Sequence, residues 1–461
     1  MIALCIRRDE VNVTTHGADR LTTRTVFKTW WPLAASWILM SLEGPLLSIV
    51  IARLANPKIH LAAYGSLVFP IALLIEAPII MLLAASTALC KDWDAYRKIR
   101  RFMHIASGSL TALHAVIALS PLYILLARNV LQVPEEIIAP GRIGLLVMLP
   151  WTWSIAYRRF NQGVLIRYGH SMAVGIGTAV RLVSNGTVLA IGYLIGSLPG
   201  TVVATAGIAV GVVSEALYAG LRVRPVVRKH LAPSRDVGTP PEGGTRLTYR
   251  AFFSFYIPLS LTSLVLLGAR PILTAAISRM PNALDSLAVL PVITGLSFLL
   301  SSMGIAYSEV VIAHVGTPGS SRTLRRFAYG LVLTTSTVLV LIASTPLSRI
   351  WFGTITGLST DLIGLARNGL WFALLLPAFA VLQSWFQGII LHSRRTRSIT
   401  EAVLLYLFAS TAVLWSGVAW GTASGLLVAL TAMTLGEACR SVWLGWRSRT
   451  TWHGLLARDA S

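Results

Sequence analysis

Apolar runs long enough to cross a lipid bilayer recur along nearly the whole chain, and no other feature narrows its folding options as much. A spanning α-helix needs about 20 mostly apolar residues, because the hydrocarbon core is about 30 Å thick. Twelve such segments are present: 29–53, 60–89, 102–127, 141–160, 170–196 and 200–222 in the first half, then 252–279, 285–315, 325–347, 367–390, 398–418 and 421–445 in the second. They are longer than the strands of a transmembrane barrel and lack its alternation, which excludes a β-barrel. In lipid every backbone polar group must be satisfied internally, so the prediction is all-α. Composition agrees: 55% of residues are apolar, only 12% are charged, and the mean hydropathy is +0.70. Soluble domains carry about a quarter charged residues.

The net charge of +21 would suit a nucleic-acid binder if the basic residues clustered on one solvated face with aromatics between them. They fall instead in short loops, which is the pattern of cytoplasmic retention of Lys and Arg, so no nucleic-acid partner is expected. With the N-terminus inside, 30 of the 39 Lys and Arg lie on the cytoplasmic side, including three in 158–167. Seven lie outside (Arg53, Lys58, Arg128, Arg142, Arg279, Arg349 and Arg367), while Arg181 and Arg270 fall within the membrane. The first twenty residues are polar, with no apolar core of a signal peptide. The expectation is a multi-pass protein of the cell (plasma or inner) membrane with both termini cytoplasmic. Its predicted parts are a cytoplasmic segment at 1–28, a six-helix lobe at 29–223, a Pro- and Gly-rich linker at 224–250, a second lobe at 251–446 and a tail at 447–461.

The two halves repeat. A shift of 226 residues overlays Pro32-Leu33 on Pro258-Leu259, Pro45 on Pro271, Arg53 on Arg279, Asn56 on Asn282 and Leu61-Ala62 on Leu287-Ala288. A shift of 225 overlays RKIRRF at 97–102 on RTLRRF at 322–327, and Gln162-Gly163 on Gln387-Gly388. Six spans separate equivalent points, so equivalent ends face the same side and the repeats are parallel. The predicted fold class is therefore an all-α integral membrane protein of twelve transmembrane helices in two parallel-repeat six-helix bundles.

Ionisable groups inside a bilayer cost about 2.5 to 3.5 kcal/mol on insertion scales and usually face a bundle interior or cavity. Glu43, Glu76, Arg181, Glu215, Arg270, Glu309 and Glu437 are such groups. Glu43 and Arg270 sit one residue out of repeat equivalence, just before Pro45 and Pro271. They are read as a pair on opposing walls of a central cleft, serving cargo and proton, or else as a structural ion pair that closes a gate. Arg181 has no charged counterpart in the eleventh span, which favours a ligand role, with Glu215 as the structural partner considered. Glu76 lies between Pro70 and Pro78, which break the helix around it. Glu309 and Glu437 lie near cytoplasmic ends and read as snorkelling or loop contacts. The expected substrate-binding or coupling set is Glu43, Arg270, Arg181 and Glu76. Pro32, Pro45, Pro258 and Pro271 are candidate kinks.

No G-x-x-x-x-G-K-[ST], H-E-x-x-H or paired C-x-x-C motif occurs. The three cysteines, Cys5, Cys90 and Cys439, are too dispersed for a disulfide framework or metal site. Asn12, in N-V-T, would be glycosylated only if lumenal and is expected inside.

The stretches WWPLAASWILMSLEGPLLSIVIAR and FYIPLSLTSLVLLGARPILTAAISR share the pattern W-P-L…P-[LI]-[LV]…[AS]-R, or its close variant. Together with AAYG at 62–65, MGIAYSE at 303–309, SRRT at 393–396 and LGEA at 435–438, they resemble the progressive ankylosis (ANK) family within the multidrug/oligosaccharidyl-lipid/polysaccharide (MOP) exporter superfamily. Phe386-Gln387-Gly388 is similar to the wider superfamily, including the MATE drug exporters and polysaccharide flippases. The resemblance implies a two-lobed secondary transporter working by alternating access. An ANK-like protein would export a small organic or phosphate-bearing anion; a MATE-like one would couple H⁺ or Na⁺ to efflux of cationic drugs, and a flippase would move a lipid-linked substrate. The chain lacks the long acidic tail of animal ANK proteins, and its small size and lack of a signal suit a prokaryotic homologue. Membrane lipids and a small-molecule cargo are the expected partners of a monomer; no cofactor beyond a coupling ion and no enzymatic activity are expected.

Overall fold

The computed structural model describes residues 21–231, 247–317, 319–393 and 397–460. Cys5, Asn12 and most of the expected 1–28 segment and 224–250 linker, with part of SRRT, lie outside the described residues. Among those described there is no strand, and eleven helices are long and apolar enough to cross a membrane. The protein is an all-α, multi-pass membrane fold. The expected fourth span, 141–160, is not among the eleven. It is present as Glu135–Val147 and Leu149–Arg167, and its hydropathy falls because Arg158, Arg159, Asn161 and Gln162 lie within the second piece.

Three boundaries differ from the sequence prediction. The helix Gly200–His230 runs past 222 into the expected linker. The expected tail is helical, because Gly425–Ala460 continues through it: Trp452 and Leu455 pack with Tyr307 and Trp385, and Asp459 accepts hydrogen bonds from the Gly319 and Ser321 amides, both at 2.9 Å. Those amides open the Ser320–Ser344 helix, whose first N–H groups have no partner within the helix. At the other end of the chain, the Thr22 hydroxyl accepts from the Thr25 amide and starts the first helix at Thr23.

Packing divides the chain into two compact units. The first comprises Leu67–Val130 and Glu135–Pro271; the second comprises the described residues up to Ser66, Leu131–Pro134 and Ile272 onward. By packing, the first span and the start of the second, to Ser66, go with the second unit, and the seventh span, to Pro271, goes with the first. In the second unit Val26, Trp30 and Ala34 are buried with Tyr307 and Val311, and the Trp30 indole donates to the Met303 carbonyl at 2.9 Å. In the first, Phe252 and Tyr256 pack edge-on against Phe102 with centroids 4.9 and 5.0 Å away. The first and seventh helices are repeat equivalents, and the second span, Pro57–Glu76, is divided between the units after Ser66.

The repeat reappears as equivalent contacts within each unit. A Cβ on Gly144 would meet Val68 at 2.9 Å and Thr201 at 2.8 Å; one on Gly369 would meet Ile293 at 2.8 Å and Leu426 at 3.0 Å. Every member of the second set lies 225 residues after its counterpart. The same offset relates Gly163 against Leu83 and Ser86 to Gly388 against Ser308 and Val311, and Gly192 against Val203 to Gly417 against Val428. Asn56 and Asn282, 226 apart, both adopt the left-handed conformation, with φ of 49° and 54°.

Candidate functional site: a buried charge cluster

The helix Leu149–Arg167 places Arg158 and Gln162 one turn apart, and residues four apart share a helix face. Both reach the same carboxylate. Glu215, in Gly200–His230, is 1% exposed; its Oε1 accepts from Gln162 Nε2 at 2.8 Å and its Oε2 from Arg158 Nη1. Arg181, in Ser171–Ile195, brings its Nε within 3.7 Å of the same Oε2. Small residues allow this approach. A Cβ on Gly211 would meet the Arg181 carbonyl at 3.0 Å, and one on Gly177 would meet Glu215 Cγ at 3.4 Å.

Glu76 ends the helix Pro57–Glu76, where Pro78, lacking an N–H, prevents the ladder from continuing. The Tyr256 hydroxyl donates to the Pro78 carbonyl freed by that break. Glu76 is 2% exposed, and its Oε2 is buried without a hydrogen bond. Arg158 and Arg159 are within electrostatic reach of it, and Arg159 also feels Glu215 and Arg181. The half-buried Arg159 has a buried Nε that makes no hydrogen bond, and it forms no ion pair with a described carboxylate. Three arginines thus stand with two glutamates inside one unit.

An unpaired charge in such a setting is costly, and removing one partner of a buried pair costs about 3–5 kcal/mol. Arg158 and Glu215 therefore have a structural duty as well as an electrostatic one. What remains available for a ligand is the surplus: one net positive charge, the Arg159 donors and one oxygen of Glu76.

Of the predicted set, Arg181 and Glu76 belong to this cluster. Glu43, half-buried, starts the segment Glu43–Ile51 in the second unit after a break at Leu42; Arg270 is exposed near the end of Tyr249–Ser278 in the first. The prediction missed Arg158, Arg159 and Gln162. It counted both arginines among cytoplasmic-side residues; the structure places them inside the helix Leu149–Arg167, with Arg158 buried. The signal available was the one-turn spacing of Arg158 and Gln162 directly before Gly163, a repeat-matched position. Glu437 is no snorkelling side chain either: it accepts from Gln383 Nε2 at 2.6 Å, with Arg440 at 3.5 Å. Cys90 is buried, Cys439 is half-buried and both are free thiols.

No family model and no curated protein matches the sequence. Solved structures do match in fold. An inward-facing multidrug-resistance MATE transporter of the MOP superfamily aligns over 92% of this chain and 99% of its own, with a TM-score of 0.61 at 14% identity. A MOP superfamily transporter from Pyrococcus furiosus, described by a binding pocket of reversed polarity, aligns over 95% and 97% with a TM-score of 0.60 at 16% identity. The lipid II flippase MurJ, in an inward closed conformation, aligns over 92% and 89% with a TM-score of 0.64 at 14% identity. At these identities the likeness is one of fold.

Proposed function

We propose that the chain is a secondary-active transporter that exports a small organic or phosphate-bearing anion by alternating access of its two lobes, as an ANK-like member of the superfamily whose fold it shares. The observation that carries this reading is the buried cluster, in which three arginines face two glutamates. A net positive, water-poor interior attracts anions, and intramembrane ionisable groups mark cargo and ion pathways. Arg159 offers guanidinium donors that no described carboxylate occupies. Arg158 and Arg181 are held by Glu215 and shape the field around it. Glu76, with one oxygen unbonded, is the group to take up a coupling proton or Na⁺; Glu43 and Arg270 remain candidate cargo or coupling positions. No catalytic chemistry is proposed.

The unbonded Glu76 oxygen also supports a second reading, MATE-type efflux of cationic compounds against H⁺ or Na⁺. Purified protein in liposomes, tested with labelled anions and lipophilic cations under imposed pH and Na⁺ gradients, separates the two. Anion flux lost in Arg159→Gln supports the proposal; flux of cations alone replaces it with the MATE-like reading. Movement of a fluorescent lipid instead would point to a flippase. The proposed orientation, cytoplasmic termini in the cell membrane, requires a cysteine at Arg322 to be labelled from inside and one at Glu136 from outside.

A further inference from the structure

Two helices of the second unit, Arg397–Trp420 and Gly425–Ala460, enclose an apolar groove of about 440 Å³ lined by Leu405, Ala438, Cys439, Val442, Trp443 and Trp446. About 20 residues span the hydrocarbon core. Counting from Gly425, the longer helix therefore leaves the core near residue 445, and Arg397 starts its neighbour at the same face. On that count the groove runs along the end of the core, with Arg447 just beyond it at headgroup depth, and Val442 is 73% and Trp446 54% exposed on its outer side.

Its mouth is positively charged. Among the described residues Glu401 is the one carboxylate serving these two arginines, with Arg397 Nε at 3.4 Å and Arg447 Nη2 at 3.2 Å, while Arg440 is matched by Glu437 at 3.5 Å. One positive charge is left over. The Arg447 guanidinium also sits 5.8 Å from the ring centres of both Trp443 and Trp446, which holds it beside the apolar lining. An acyl chain fits the lining and a phosphate fits the surplus charge.

We infer that this groove is a binding site for an anionic phospholipid, with an acyl chain along Leu405, Ala438 and Val442 and the headgroup phosphate on Arg447 and Arg397. The site is independent of the transported cargo. A neutral phospholipid of the same chains gains the groove but not the charge, and a free phosphate gains the charge but not the groove. Attraction of an anionic lipid to one basic side chain amounts to about a five-fold preference.

Cys439 lies in the groove and reports occupancy. The full chain is placed in nanodiscs of phosphatidylcholine with or without phosphatidylglycerol of identical chains, and N-ethylmaleimide alkylation of the Cys439 peptide is timed by mass spectrometry. Phosphatidylglycerol should slow alkylation about five-fold; inorganic phosphate added to the phosphatidylcholine discs should not. The paired variant Arg397→Gln and Arg447→Gln should abolish the difference between lipids, and its unfolding curve, measured alongside, shows whether it is folded. Equal rates in both lipids for the wild type, protection by inorganic phosphate alone, or a lipid preference that survives in the folded variant would each overturn the site.

Discussion

The two units share a scaffold and differ in what it carries. At an offset of 225 the glycine contacts of the first unit recur in the second: Gly211 against Arg181 and Asn185 becomes Gly436 against Tyr406 and Ser410. The charges do not recur. Glu76, Arg158, Arg159 and Arg181 correspond to Ser301, Gln383, Ser384 and Tyr406, and Glu215 corresponds to Arg440. Where the first unit buries Arg158 on Glu215, the second has the neutral Gln383 donating to Glu437 at 2.6 Å and to Ser441 at 3.0 Å. Packing alone does not require ions at these positions, because the sister unit is built without most of them. The first unit retains them at a desolvation cost, and that points to use.

The comparison breaks most readily at the two glutamates. Glu215→Leu strands Arg158 and Arg181 in the interior and should cost about 3–5 kcal/mol. Glu437→Leu removes the acceptor of the neutral Gln383 amide and the partner of the more exposed Arg440, and should cost about 1–3 kcal/mol. Chemical unfolding in detergent reads both; equal losses would show that the second unit depends on ions as heavily as the first. The shared scaffold is tested by Gly163→Ala and Gly388→Ala. The first Cβ would sit 2.5 Å from the Leu83 carbonyl and the second 2.6 Å from Val311 Cβ, so each should cost about 1–3 kcal/mol through overpacking. A cost at one site and none at the other would undo the equivalence.

The smallest effect sits at the surface. Arg128 and Glu135 form an exposed pair in the first unit, while their counterparts are Gly353 and Thr360. The hydrogen bond from Arg128 holds the Glu135 carboxyl below the usual glutamate range. A lowered folded-state value stabilises fully above the ordinary glutamate value of about 4.3 and is lost as pH falls through the folded-state value. Glu135→Gln should therefore slightly lower stability at neutral pH and converge with wild type as pH falls through the folded-state value, as followed by thermal unfolding from pH 7 to 3. A difference from wild type that persists undiminished at pH 3 would assign Glu135 some other role.

Much of the architecture was legible because lipid makes it so: span length follows from hydrocarbon thickness, and the repeat offset was readable from Pro32, Pro45, Arg53 and Asn56 alone. The break at Glu76 followed from Pro78, and Glu215 was the partner considered for Arg181. Arg158 and Arg159 were hidden by the same rule that found the loops, since a pair of arginines beside an apolar run looks cytoplasmic until the helix is seen to continue to Arg167. The exchange of the first and seventh spans left no trace in hydropathy, because a spanning helix is equally apolar whichever bundle it joins. The helical tail was missed for a related reason: the contacts of Trp452, Leu455 and Asp459 are long-range.

The central claim is that the charge surplus of the first unit serves an anion. The most direct test is the flux of one labelled phosphate-bearing anion into liposomes containing wild type, Arg159→Gln or the second-unit control Ser384→Ala. The account predicts that wild type and Ser384→Ala transport alike, while Arg159→Gln, its folding checked by an unfolding curve alongside, transports nothing. Undiminished flux by Arg159→Gln, or wild-type flux confined to cations, would contradict it.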